Sequence, residues 1–142
     1  MYFRLIRPSA PDFQAHLSLI KPAFAGSDMP KVEFDEVRQL VCDQQASFYL
    51  LTGKGIKLRF ISRIDGERYH IIAMTGRGLV DAATHIIERV TERGYQSISY
   101  HTYRKGMRRI LGQFGFKQVE QVRAFGDSQE TVHQLDLRDN HG

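Results

Sequence analysis

The sequence predicts a mixed α/β (α+β) domain, with elements in the order β-α-α-β-β-β-α-β-α-β-β. Three observations carry this expectation. Apolar residues switch along the chain between a period of two and a period near 3.6. Turns containing Gly, Pro or Asp separate the periodic segments. No internal repeat, low-complexity tract or polar linker interrupts them, so a single domain over 1–142 is expected. At 142 residues and 42% hydrophobic, the chain can bury one core and is too short for two ordinary domains.

The first strand is expected over Tyr2–Arg7, stopping at Pro8. Ser9 and Asp12 offer cap chemistry for a helix whose Phe13, Leu17, Ile20 and Phe24 share a face. Gly26-Ser27-Asp28-Met29-Pro30 breaks it, and a second helix follows from about Lys31 with Val37, Leu40 and Val41 at helical spacing. Phe48-Tyr49-Leu50-Leu51 reads as a strand leading to a turn at Thr52-Gly53-Lys54-Gly55. Leu58, Phe60 and Ile64 then alternate with Lys57, Arg59 and Arg63, the pattern of a half-buried strand. Asp65-Gly66 marks a hairpin turn, since both residues tolerate positive φ. Its partner strand, Arg68–Met74, ends in the apolar run of a central position.

Thr75-Gly76-Arg77-Gly78 opens a helix with Leu79, Ala83, Ile86, Ile87 and Val90 on one face and Gly94 at its end. Strand Gln96–Thr102 follows. Met107, Ile110, Leu111 and Phe114 then define a short helix closed by Gly115. A hairpin completes the chain: Phe116–Phe125, a turn at Gly126-Asp127-Ser128, and Glu130–Leu137.

Composition narrows the function classes. Nothing approaches the ~20 consecutive apolar residues of a membrane span, so no membrane partner is expected. The single Cys42 rules out an internal disulfide, which fits a cytoplasmic setting. Six histidines lie without metal-ligand spacing, and no structural metal is expected. The formal charge of +4 suits an anionic partner, either a phosphorylated cofactor or nucleic acid, and is equally that of a merely basic surface. Arg104, Lys105, Arg108 and Arg109 form the densest positive cluster, with like charges four apart on a helix. A cofactor phosphate, a nucleic-acid backbone or an acidic protein would balance it; the alternative is a solvated face opposite Met107 and Leu111. Strand edges of a mixed sheet leave room for a homodimer.

The opening Leu5-Ile6-Arg7-Pro8-Ser9-Ala10-Pro11-Asp12-Phe13 and the late Leu111-Gly112-Gln113-Phe114-Gly115-Phe116-Lys117-Gln118-Val119 resemble the two ends of the GNAT family of N-acetyltransferases, and the element order resembles that family over almost the whole chain. The resemblance implies a GNAT-like central mixed, mostly antiparallel sheet flanked by helices, with acetyl-CoA as acyl donor and an amine as acceptor. The family's acyl-CoA signature, Arg/Gln-x-x-Gly-x-Gly/Ala, maps in one register onto Thr75, Gly78 and Val80, and in another onto Ala73, Gly76 and Gly78. Each register keeps a glycine-rich strand-to-helix turn and loses part of the pattern. Cofactor contacts are therefore expected over Ala73, Met74, Thr75, Gly76, Arg77, Gly78, Leu79 and Val80, with Arg104 as a further cation. The tetrapeptide alone fits a tight turn needing positive φ, and the surrounding order of elements favours the phosphate site.

The resemblance also implies a backbone amide near Ala73–Thr75 that polarises the thioester, a proton acceptor for the amine and an acid for the thiolate. Leu111 stands where many members carry a catalytic tyrosine, and Arg104 where asparagine is common. Tyr103 is the expected acid in their place, with His101 or His70 as proton acceptor; core or surface roles are the alternative for each. An acyltransferase, a GNAT-shaped binding or structural protein without turnover, and a nucleic-acid binder using the Arg104–Arg109 helix and the Lys54, Lys57 and Arg59 strand are the three functions compatible with these residues.

Overall fold

The computed structural model describes residues 1–125 and 128–137. Among the described residues there are seven strands: β1 (Tyr2–Leu5), β2 (Ser47–Gly53), β3 (Ile56–Asp65), β4 (Arg68–Arg77), β5 (Ser97–Thr102), β6 (Lys117–Phe125) and β7 (Ser128–Asp136). They form one sheet in the order β1-β2-β3-β4-β5-β7-β6. Neighbours pair antiparallel except β4 and β5, which run parallel. That chain order requires a crossover between β4 and β5, and helix α3 (Leu79–Glu92) provides it. Helices α1 (Phe13–Ser18) and α2 (Pro30–Cys42) cover one face, while α3 and α4 (Lys105–Gln113) cover the other. The predicted order of elements is observed throughout. No described helix is long and apolar enough to cross a membrane.

Two cores result. Phe13, Leu17, Phe24, Val37 and Val41 meet Phe48, Ile61 and Ala73 on the α1/α2 face. Ala82, Ile86, Val90 and Leu111 meet Leu58, Phe60, Ile71 and Ile98 on the α3/α4 face. Because both faces are covered, β3 is not the half-buried strand its alternation suggests. Phe60 and Ile61 are both fully enclosed, Arg59 is buried, and Ile64 is exposed near the hairpin.

Other local expectations are corrected by tertiary contacts. The first helix ends at Ser18, and Lys21–Phe24 forms a separate 3-10 turn with Pro22 in its first turn. Proline at that place lacks the N–H needed to continue an α-helix, yet Phe13, Leu17, Ile20 and Phe24 are all buried. Asp12 makes no side-chain cap; its carboxylate takes two hydrogen bonds from Arg4, at 2.8 and 2.9 Å. At the β3–β4 hairpin Asp65 pairs with Arg68, and Gly66 alone takes positive φ, at 63°. Thr75-Gly76-Arg77 does not open α3; it completes β4, leaving only Gly78 before the helix. The turn at Gly126-Asp127 lies outside the described residues.

Candidate active site

The site begins with an irregularity in β4. Opposite β3, Ile61 faces Ala73 while Ser62 faces Ile71, so Ile72 is an extra residue. A bulge bends its strand and re-aims the side chains around it. Ile72 and Ala73 therefore both pack toward α1/α2, and Met74 returns to the α3/α4 core. Pairing of β4 with β5 stops at the same place, with Ile71 against Tyr100. Beyond it β4 follows β3 to Arg77, and β5 follows β7 to Thr102.

The divergence opens a cavity of about 340 Å³ lined by Leu19, Pro22, Leu58, Arg59, Met74, Thr75, Gly76, Leu79, Arg104 and Met107. Its lining comes from both faces. Leu58, Met74, Leu79 and Met107 belong to or pack against the α3/α4 core, while Leu19 and Pro22 come from the segment after α1. Two hydrogen bonds hold that segment to the cleft walls: the Thr75 hydroxyl donates to the Leu19 carbonyl at 2.7 Å, and the Arg104 guanidinium to the Pro22 carbonyl at 2.5 Å. Two other surface hollows of about 340 and 360 Å³ lie around Tyr69 and Arg93 and around Ile6 and Cys42. Neither includes the β4–β5 gap or the start of α3.

A polar row lies on the α1/α2 face of β5. Strand alternation puts Ser99, His101 and Tyr103 on that face and Tyr100 in the opposite core. His101 Nε2 stands 3.3 Å from Glu130 Oε1 of β7. The Tyr103 hydroxyl donates to Glu33 of α2 and lies 3.3 Å from the same Glu130 oxygen. The rings of His101 and Tyr103 meet edge to face at 5.1 Å. Burial first, then the two carboxylates, push the Tyr103 hydroxyl above its ordinary value, so it stays protonated. His70 is buried with Nδ1 2.6 Å from the Ser99 hydroxyl. Desolvation, helped by the Arg68 and Arg63 charges, lowers its pKa to about 4 and keeps it neutral near pH 7.

No protein-family model and no curated protein sequence matches the chain. Solved structures do. The ribosomal-protein-S18-alanine N-acetyltransferase of Escherichia coli superposes with a TM-score of 0.64 at 13% identity, over 96% of this chain and 94% of that one. A probable acetyltransferase of the GNAT family from Chromobacterium violaceum gives 0.61 at 13% identity, over 100% and 91%. The NatC complex bound to Gag peptide and CoA gives 0.60 at 10% identity, over 95% and 97%. The chain has the GNAT fold.

Within this GNAT fold the expected cofactor residues divide. Met74, Thr75, Gly76, Leu79 and Arg104 meet in the cleft. Ala73 is buried against α1/α2, Arg77 is exposed, and Val80 is exposed in the first turn of α3. Gly76 and Gly78 do have positive φ, at 127° and 84°. Their missing side chains, however, face the chain itself. A Cβ on Gly76 would lie 2.1 Å from the Lys57 carbonyl oxygen, and one on Gly78 2.5 Å from that of Gly55. These glycines let β4 and the start of α3 approach the backbone of β3 and its preceding turn. On the basic helix, Lys105 and Arg109 are exposed and Arg104 is turned back to Pro22.

Glu33 and Glu130 carry no signal in the sequence, and Arg59 is there an exposed nucleic-acid contact instead of a cleft residue. Glu33 and Glu130 lie 70 and 27 residues from Tyr103 and join it only through packing. Arg59 looked like the exposed side of an amphipathic strand. No local spacing distinguishes any of the three; the alternation of β5 was the one usable signal, and it reached only His101 and Tyr103.

Proposed function

We propose that this protein is an acyl-CoA-dependent N-acyltransferase that transfers an acetyl group from acetyl-CoA to a primary amine. The observation that carries the reading is the cleft through the sheet, with the free start of α3 at one side and the His101–Glu130–Tyr103 row on the opposite face. The likeness to acetyltransferases supports it. So does the presence of CoA in the NatC complex structure.

The residues fit such a donor. Met74, Leu79 and Met107 offer apolar walls for an extended arm. The first-turn amides of α3, from Leu79 to Asp81, have no partner within the helix and suit a pyrophosphate, with Arg77 and Arg104 nearby in sequence and space. When bound, acetyl-CoA supplies a thioester-activated acetyl group whose carbon–sulfur bond breaks as the carbon–nitrogen bond to the amine forms. Backbone amides of β4 beyond Ile72 that do not serve β3 point into the gap left by β5 and polarise the acetyl carbonyl. His101 accepts the proton of the attacking amine, and Glu130 holds its imidazole in place. We assign Tyr103 to positioning Glu33 and Glu130 rather than to acid catalysis. Its hydroxyl is engaged by carboxylates, and its raised pKa makes it a poor donor to a thiolate.

Val80→Glu tests this reading. Val80 is 54% exposed at the start of α3, where an acidic side chain suits the helix dipole and leaves folding intact. The same charge repels a pyrophosphate. Isothermal titration with acetyl-CoA is expected to show wild-type binding and at least about ten-fold weaker binding by V80E at an unchanged melting temperature. No heat and no thermal shift at millimolar acetyl-CoA would leave the GNAT fold standing without acetyl transfer.

A further inference from the structure

Arg59 is a buried cation that no carboxylate pairs among the described residues. It lies on β3 opposite Thr75 of β4, is only 8% exposed, and lines the cleft. Its Nε donates to His16 Nδ1 at 3.0 Å. That bond fixes the tautomer of His16, whose Nε2 stands 3.2 Å from Asp12, and Asp12 in turn is held by Arg4. The one carboxylate in the relay is thus matched by Arg4, two residues removed from Arg59. Among the described residues no Asp or Glu lines the cleft, and burial is the sole influence on the Arg59 pKa, which it lowers. Nη1 and Nη2 carry no bond to protein among the described residues. No buried side-chain polar atom is unsatisfied among the described residues, so the outer edge of this guanidinium opens on the cleft, where an entering anion gains charge-assisted hydrogen bonds that the chain does not supply.

The side of the sheet identifies the anion's owner. Arg59 contacts α1 through His16, so it lies on the α1/α2 face with His101, Glu130 and Tyr103. The first turn of α3 lies with the other core. We propose that Arg59 is an anion subsite for the acyl acceptor, and that the acceptor is an amine that also carries a carboxylate. The planar guanidinium, steered by His16, presents its outer edge as a two-pronged donor for carboxylate oxygens. Assignment to the acceptor rests on the acyl-transfer reading above; the anion subsite itself does not.

The test uses the full chain without any donor. Thermal shift and calorimetry compare β-alanine, 4-aminobutyrate and glutarate with propylamine and butylamine, in wild type and Arg59→Met. Carboxylate-bearing compounds are expected to bind the wild type in preference to the alkylamines, and to bind R59M roughly ten-fold or more weakly. The unliganded melting temperature of R59M is expected to equal or exceed that of wild type, because a buried charge has been replaced by an apolar chain of similar length. A fall of several degrees would make Arg59 structural, and equal affinity in R59M or no carboxylate binding at millimolar concentration would likewise overturn the subsite. A donor arm compares succinyl-CoA with acetyl-CoA. Selective loss of succinyl-CoA affinity in R59M, with amino-acid binding unchanged, would move the anion to the donor and overturn the acceptor assignment. Failure of acetyl-CoA to bind while carboxylates bind through Arg59 would remove acetyl transfer and leave the subsite in place.

Discussion

His70 couples the fold to pH through one buried ring. Its folded pKa of about 4 lies below the ordinary 6.5, so on acidification the unfolded chain takes up this proton first. The contribution of a neutral His70 is complete above the unfolded value and is lost as pH falls from about 6.5 toward 4; below that, both states are protonated and the loss stops. The size is roughly 3 kcal/mol over that window. Asp12, depressed to about 2 mainly by the Arg4 hydrogen bonds, acts in the same direction at lower pH, below its ordinary 3.8. In His70→Asn, whose amide retains a bond to Ser99, melting temperature should decline less between pH 6.5 and 4 than in wild type. Parallel declines would show that another group carries the acid sensitivity. At this scale the sequence exposed His101 and Tyr103, because adjacent residues on a strand alternate faces. It did not place Glu33, Glu130 or Arg59 in the site, because their partners are set by packing across the molecule.

Among the elements, β4 is the one on which the site depends, and Gly76 shows why it runs where it does. Three residues at the end of β4 read locally as a turn, yet they remain paired to β3 because a glycine there brings the two backbones together. Gly76→Ala places a methyl group against the Lys57 carbonyl at a φ that alanine resists. We expect a loss of about 3 kcal/mol or more in urea unfolding, with the far-UV spectrum of the folded state preserved. A loss below about 1 kcal/mol would mean that β4 parts from β3 readily and that the close approach is dispensable. Gly78 has the same constraint, so a charge placed there would confound folding with binding. Val80, exposed two residues later, separates the two. The break in the first helix is of similar origin: periodicity marked all four of its buried residues, whereas Pro22 divided the segment and set Leu19 and Pro22 against the cleft.

For the whole molecule, β3 and β4 belong to both cores: Phe60 and Met74 to one, Ile61 and Ala73 to the other. Neither face can lose its packing without disturbing the strands that hold the other, so unfolding should be a single cooperative event. With no tryptophan in the chain, tyrosine fluorescence and far-UV circular dichroism are the two probes. Their urea transitions should coincide, and two separated midpoints would divide the protein into independent units. The sequence by itself determined the order of elements, the apolar faces of the helices and the glycine-marked turns, because each is written in residues close along the chain. Only the tertiary structure decided that both faces of β3 are buried, that the glycines serve strand approach, and that β4 and β5 separate at Ile72. The meeting of Glu33 with Tyr103 and the placing of Arg59 in the cleft were decided there too. Those features arise where distant segments compete for the same space and the same hydrogen-bonding groups, and no local period records the outcome.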